Sequence, residues 1–77
     1  MVQAYILIQS EVGKAHAVAT AVAQINGVTL AEDVTGPYDV IARAEGTTMD
    51  DLGRLVLASL QRVEGITRTL TCPVVSL

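Results

Sequence analysis

The chain has 77 residues, of which 51% are hydrophobic, and a formal net charge of −3 at pH 7. This length leaves room for one domain, residues 1–77, whose single core usually supplies only about 3–5 kcal/mol of stability. The acidic balance excludes a protein that binds nucleic acid directly by neutralising phosphates. The single cysteine excludes an internal disulfide, and no cluster of cysteine and histidine suggests a structural metal.

The apolar content of the chain predicts association. The mean hydropathy of +0.48 is more than a lone small domain can hide from water, so part of the surface should be buried against other copies. No apolar run approaches the roughly 18 residues of a membrane-spanning helix. The start, Met1-Val2-Gln3, lacks the basic residues of a signal peptide. We therefore expect a cytoplasmic homo-oligomer that has no cofactor and contacts no membrane.

The first part of the chain predicts a strand, a helix and a second strand. Gln3 to Gln9 is apolar on both faces, which is typical of a central strand covered on two sides. A helix follows and is ended by Asn26-Gly27. Its apolar stripe consists of Ala15, Val18, Ala19, Val22 and Ile25. Val28 to Thr35 alternates as a strand, with Val28, Leu30, Glu32 and Val34 on one face.

The middle of the chain predicts a hairpin and a second helix. Gly36-Pro37 turns the chain into a third strand, Tyr38 to Glu45. Thr48 fits the N-cap of the helix, with Asp51 three residues later, and the helix should end near Glu64-Gly65. Its predicted buried stripe is Leu52, Leu55, Val56, Ser59 or Leu60, and Val63.

The last part of the chain predicts a fourth strand, Ile66 to Thr71, interrupted by Pro73 before a short tail, Val74 to Leu77. The order βαββαβ predicts an α+β fold, a ferredoxin-like sandwich with one antiparallel sheet and both helices on one of its faces. The other face is left uncovered. The simplest cover is the sheet of an identical chain, which gives a dimeric α/β-barrel.

The hairpin carries the most informative polar residues. Gly36-Pro37 breaks the strand, so that Tyr38 and Asp39 lie at a strand mouth. An aromatic hydroxyl and a carboxylate there can hold an amine and the apolar body beside it, through a charge-assisted hydrogen bond worth about 1.5–3 kcal/mol. The alternatives are a turn-capping role for Asp39 and an interface role for Tyr38.

The chain resembles the effector-binding domain of the Lrp/AsnC transcription regulators, also called the RAM domain. Four segments carry the resemblance: the AYILI strand, the alanine-rich helix, the hairpin 34–40 (VTGPYDV) and the segment 63–71 (VEGITRTLT). The resemblance covers essentially the whole chain. It departs from full-length members in starting directly at the first strand, without the helix-turn-helix domain that would enter a major groove.

The resemblance implies a stand-alone effector-binding domain. Members of this kind form dimers that assemble into rings, such as octamers or decamers, and bind amino acids between neighbouring dimers. A contact with DNA would then require a full-length Lrp/AsnC partner. The ligand-binding residues expected on this basis are Gly36, Tyr38, Asp39, Met49, Thr69, Thr71 and Cys72. The residue types leave structural alternatives open: β-propensity for the threonines, burial for Cys72 and interface packing for Met49.

Two other functions fit a fold of this kind. Dimeric ferredoxin-like proteins include small cofactor-free oxygenases and isomerases, but this chain has no Trp or Phe and one histidine, His16. Without a catalytic partner, His16 is expected to face solvent on its helix. We therefore expect no enzymatic activity. The other alternative is a purely structural domain that mixes with full-length regulators and alters their assembly.

The charge balance yields a first prediction. At physiological salt the 77-residue chain alone should show no specific binding to duplex DNA, because its net charge of −3 opposes phosphate contacts. An electrophoretic mobility shift assay checks this. A salt-sensitive shift at nanomolar protein would contradict it.

Overall fold

The computed structural model describes residues 1–75, which form a four-stranded antiparallel sheet with two helical segments. The strands are β1 (Val2–Ser10), β2 (Val28–Asp33), β3 (Val40–Gly46) and β4 (Ile66–Pro73), in the order β2-β3-β1-β4. The first helix, α1, covers Ala15–Ala23. The second helix covers residues 49–60 in three consecutive segments: α-helical Met49–Asp51, π-helical Leu52–Leu57 and α-helical Ala58–Leu60. The α+β ferredoxin-like prediction is confirmed.

The core lies on one face of the sheet, under the helices. Alternate residues of the two central strands are fully buried there, because successive side chains of a strand point to opposite faces. The sheet contributes Ala4, Ile6, Ile8, Val40, Ala42 and Ala44, and the helices contribute Val18, Ala19, Val22, Leu52, Val56 and Leu60. Half of the sheet residues are alanines, so the helices can pack close to the backbone.

Within residues 1–75, the other face of the sheet, hereafter the open face, has no helix over it. Tyr5, Leu30 and Leu70 are 42%, 46% and 43% exposed, and Leu7 and Ile41 are half-buried. The sequence prediction of an uncovered apolar face is thus confirmed for the single chain. That a second copy covers it stays a prediction.

The strand limits differ from the prediction around the hairpin. β2 ends at Asp33 rather than Thr35, and β3 begins at Val40 rather than Tyr38. Beyond these strand ends, a hydrogen bond from the Val34 amide to the Asp39 carbonyl (2.8 Å) closes the connection 34–39.

The outer strands also depart from simple alternation. A register shift after Val28 turns that side chain toward the core, away from the face that Leu30 occupies. Pro73 does not interrupt β4 but is its last residue, paired with Ala4. Proline is tolerated there because β4 is an edge strand, where a missing N–H breaks no ladder. In the tail, Val74 and Val75 are exposed, whereas residues 76–77 lie outside the described residues.

The second helix is shorter than predicted, and one residue of its predicted buried stripe, Leu55, is exposed. The Thr48 cap is confirmed, since the Asp51 amide donates to Thr48 Oγ1 at 3.1 Å. Leu55, however, is 59% exposed, and the helix ends at Leu60 rather than near residue 64. The buried side chains are Leu52, Val56 and Leu60.

The π-helical segment explains this spacing of four. In an α-helix a row of residues four apart drifts by about 40° per step, since 3.6 residues make a turn. The wider π-turn, with i to i+5 hydrogen bonds, rotates less per residue and so opposes that drift. The row therefore stays over the sheet, and Leu55 is rotated into solvent.

Gly27 has no side chain, which allows Val56 of the second helix to pack close to it. This contact yields a second prediction. The φ of Gly27 is +102°, and an added Cβ would lie 2.9 Å from Val56 Cγ2 and 3.2 Å from the Glu45 carbonyl oxygen. Gly27→Ala should therefore destabilise the fold by about 2–4 kcal/mol, from positive φ and overpacking together.

The matched control is Gly13→Ala. Gly13 also has a positive φ, +79°, but nothing lies within 4 Å of an added Cβ. Its cost should be the conformational term alone, about 1–2 kcal/mol. Urea unfolding of both variants measures the difference, and equal losses would contradict the packing role of Gly27.

Candidate functional site

The hairpin tip, residues 34–39, is tied to the end of β1 by three hydrogen bonds. The Asp39 amide donates to the Ile8 carbonyl at 2.9 Å. Gln9 Nε2 donates to the Pro37 carbonyl at 3.1 Å. The Ser10 amide donates to Asp39 Oδ2 at 2.8 Å. A loop anchored at three points presents its side chains in a fixed position.

Asp39 has a structural role on the evidence of its own contacts. Its carboxylate accepts a hydrogen bond from the Ser10 amide. Ser10 lies at a register shift in the pairing of β1 with β4, where backbone groups lose their regular partners. This contact supports the turn-capping alternative. Within residues 1–75, the carboxylate makes no other hydrogen bond through its side chain, so Oδ1 is available to a ligand. The two roles are compatible.

Gly36 and Tyr38 shape the same tip. Gly36 has a φ of +138°, a conformation that side chains rarely adopt, and open space surrounds the position of its missing Cβ. Backbone conformation, and not crowding, therefore requires glycine there. Tyr38 is half-buried beside Asp39.

Thr69 and Thr71 lie elsewhere, in an open cleft between the second helix and β4. The cleft has a volume of about 390 Å³, within the usual range of small-ligand pockets, about 300–1,000 Å³. The two threonines pair with Ile8 and Ile6 and so face the helix side of the sheet. The apolar wall of the cleft consists of Leu57, Leu60, Val63 and Ile66. Its polar lining consists of Gln61, Thr67, Arg68, Thr69 and Thr71.

The structure separates Cys72 and Met49 from these groups. Cys72 pairs with Tyr5 and lies on the open face, opposite to the face of Thr71. It is exposed. Met49 begins the second helix just after β3, at the end of the sheet away from the hairpin. Within one chain the seven predicted residues thus occupy four places: Gly36, Tyr38 and Asp39 share the hairpin tip, Thr69 and Thr71 share the cleft, and Cys72 and Met49 each lie apart.

Sequence reasoning missed a polar cluster in the middle of the open face. Arg43 donates to Gln3 Oε1 at 2.6 Å, and its guanidinium carbon lies 5.8 Å from the centre of the Tyr5 ring. Gln3 in turn donates to Glu45 at 3.3 Å. The Arg43 Nε is buried without a hydrogen-bond partner among the described residues. The period-2 pattern of β1 and β3 could have revealed the cluster, because it puts all four side chains on one face.

Comparison with protein-family models gives one match, to the Lrp/AsnC ligand binding domain, over residues 3–77. The chain belongs to this family. The match confirms the resemblance drawn from the hairpin and the last strand. A search of the curated proteins gave no significant match.

Solved structures agree with the family assignment. A protein from Thermus thermophilus is 28% identical over 100% of this chain and 96% of its own, with a TM-score of 0.90. A hypothetical protein from Pyrococcus horikoshii is 28% identical over 100% of this chain and 93% of its own, with a TM-score of 0.89. E. coli AsnC shares the fold at 21% identity and a TM-score of 0.87, over 99% of this chain but 52% of its own.

Outside the hairpin tip and the cleft, residues 1–75 carry the one histidine of the sequence, His16. His16 is exposed, as predicted, and lies 3.7 Å from Asp33 on the surface. No group of three or more potential metal ligands occurs within this described part. Of the helices there, none is long and apolar enough to cross a bilayer.

The contact between Asp39 and Ser10 gives a third prediction. Asp39→Ala should lower the free energy of unfolding by about 1–3 kcal/mol, because it leaves a backbone amide without its charged acceptor. Asp39→Asn keeps an acceptor oxygen and should lose less than about 1 kcal/mol. Urea unfolding of both variants checks this. Unchanged stability in the alanine variant would contradict a structural role.

Proposed function

We propose that the protein is an effector-sensing module that binds an amino acid or a related small metabolite and acts on transcription through Lrp/AsnC regulators. The observation that carries the proposal is the whole-chain match to the Lrp/AsnC ligand binding domain. The Neisseria meningitidis transcriptional regulator solved in complex with L-Met is one structural neighbour, at 23% identity and a TM-score of 0.81, over 97% of this chain and 50% of its own. At that identity it supports the fold alone.

In this proposal the ligand binds between neighbouring dimers. The hairpin of one dimer supplies Asp39 Oδ1 to the α-ammonium and Tyr38 to the apolar body. The late strand of a neighbour supplies Thr69 and Thr71, whose hydroxyls bind the carboxylate beside the apolar wall of the cleft. In one chain β1 separates the hairpin strand from β4 in the sheet, so the proposal takes the two groups from two chains.

The dimer in this proposal forms through the open face. Exposed Tyr5, Leu30 and Leu70 favour burial against apolar groups. A second sheet provides such groups at a spacing of about 10 Å. Cys72 then belongs to the dimer interface rather than to the ligand site, and Met49 remains a candidate for contacts between dimers, since it is 47% exposed.

In this proposal the protein is not an enzyme, and the residues of the cleft support that part of it. The cleft presents hydroxyls, an amide and a guanidinium. The exposed His16 lies outside it. An oxygenase or isomerase would need a general acid or base within reach of its substrate.

A structural role in mixed assemblies with a full-length regulator requires no ligand, and the experiment below separates it from sensing.

The proposal predicts how ligand affinity depends on Asp39. A thermal-shift screen of all amino acids at millimolar concentration should give at least one hit. Calorimetric titration of that hit should show an affinity about 10- to 150-fold lower for Asp39→Asn, because the amide removes the charged partner of the ammonium.

The asparagine variant is the informative one because it retains an acceptor for the Ser10 amide. Sedimentation must first show that the variant assembles as the wild type does. The matched control is Asp50→Asn, an exposed aspartate in the first turn of the second helix, which should leave affinity unchanged. A flat screen, with mixed oligomers formed with a full-length regulator, would favour the structural role instead.

A further inference from the structure

The second helix carries a π-helical turn between α-helical turns. The Leu52 amide donates to the Thr48 carbonyl, four residues earlier, at 3.0 Å. The Ala58 amide donates to the Gly53 carbonyl, five residues earlier. π-Helical turns are rare, are mostly single turns inside α-helices and occur frequently at functional sites. A change of hydrogen-bond partner from i−5 to i−4 would make the helix α-helical throughout, with the turn at residues 61–65 taking up the displaced chain.

The helix lies between two cavities, and its side chains define the direction in which this change would rotate it. Leu55 borders a recess of about 320 Å³, together with Gly27 and Thr47. Val56 is fully buried, and Leu57 belongs to the wall of the cleft. Increasing residue number therefore leads from the recess across the core to the cleft. An α-helix rotates further per residue than a π-turn, so the change moves each later side chain in that same direction.

The α-helical form exchanges one buried leucine for another. At about 100° per residue, Leu55 comes within about 60° of the buried Leu52, whereas Leu60 moves about 80° away from it, toward the cleft. Both forms thus bury a similar amount of apolar surface. Ser59, seven residues after Leu52, turns toward the core. Its hydroxyl donates to the Leu55 carbonyl at 2.7 Å, four residues earlier, and an α-helix allows the same bond.

We propose that the second helix has two hydrogen-bonding registers, and that the α-helical register closes the effector cleft. This rests on the proposed function and concerns the regulation of that same site. In the π-helical register Leu60 is 2% exposed and the cleft of about 390 Å³ is open. In the α-helical register Leu60 fills the cleft, and Leu57 leaves its wall for solvent. A small molecule in the cleft excludes Leu60, so it binds the π-helical register and shifts the population toward it.

Residue 59 is the position at which the balance between the registers can be changed. Ser59→Leu puts an apolar side chain on the core face of the α-helical register, whereas the same position is only half-buried in the π-helical one. It should therefore favour the α-helical register. Ser59→Ala removes only the cost of turning a hydroxyl toward the core and should act more weakly in the same direction. Ala58→Leu is the matched control, because Ala58 is exposed and stays about 120° from Leu52 in an α-helix.

Thiol labelling of the unliganded protein measures the rotation. Cys72→Ala first removes the exposed native thiol, and Leu55→Cys or Leu57→Cys then introduces a single reporter. Adding Ser59→Leu should slow the reaction of the Leu55→Cys reporter with Ellman's reagent about tenfold, because the register that exposes it falls to about a tenth of the population. The Leu57→Cys reporter should react faster. Changes of opposite sign indicate rotation, whereas a general loosening of the helix would speed both reactions.

Ala58→Leu should leave both labelling rates unchanged. If circular dichroism shows that Ser59→Leu does not fold, Ser59→Ala decides, with the same two signs. Unchanged rates, or changes of one sign at both reporters, would overturn the proposal.

A thermal-shift screen of all amino acids at millimolar concentration separates the two registers from the sensing role. An amino acid that stabilises the wild type should also stabilise Ala58→Leu, but should stabilise Ser59→Leu less. Equal stabilisation of both variants would overturn the regulation proposed here and leave sensing intact. A flat screen, together with labelling rates that change in opposite directions, would contradict only the sensing role.

Discussion

The constraint on which this structure depends is that residues 1–75 build one sheet and cover only one face of it. Among these residues twelve buried side chains form the core, and six of them come from the central strands β1 and β3. A core of this size supplies only a few kcal/mol. Apolar surface remains on the opposite face, where burial against another sheet adds stabilisation in proportion to the area removed from water. In the proposed dimer, assembly and folding thus depend on the same strands.

Much of the fold could be predicted because it depends on periodicity. The two-residue period of β1 and β3 and the helical spacing of Val18 and Val22 define the elements and the buried faces directly. The details that were predicted wrongly, the exposure of Leu55 and the face of Val28, have causes that the periodicity of a single element does not contain. Leu55 is exposed because a π-helical segment changes the rotation of the second helix. Val28 faces the core because of a register shift, and a single-strand alternation pattern does not contain one.

The candidate site could be predicted by residue type better than by position. Gly36 and Asp39 are indicated by turn chemistry, and their placement at one hairpin tip follows from adjacency in sequence. The bond from the Ser10 amide to Asp39 joins residues 29 positions apart, so no local pattern reveals it. The separation of Cys72 from Thr71 is different. Strand alternation alone predicts that neighbours such as Thr71 and Cys72 lie on opposite faces. The sequence prediction put them in one site because they are adjacent in the chain.

Strand β1 connects the two surfaces to which function is assigned here. At its end, the Ile8 carbonyl accepts the Asp39 amide, and the Ser10 amide donates to the Asp39 carboxylate. Along its length, Tyr5 and Leu7 lie on the open face. A ligand that binds Oδ1 of Asp39 stabilises the conformation of the hairpin that these bonds hold, and hence the register of β1 at the dimer face. By linkage, an assembly that fixes β1 favours ligand binding to the same degree. In the proposed function, the Asp39 carboxylate at the end of this central strand is therefore the point at which effector binding is coupled to assembly.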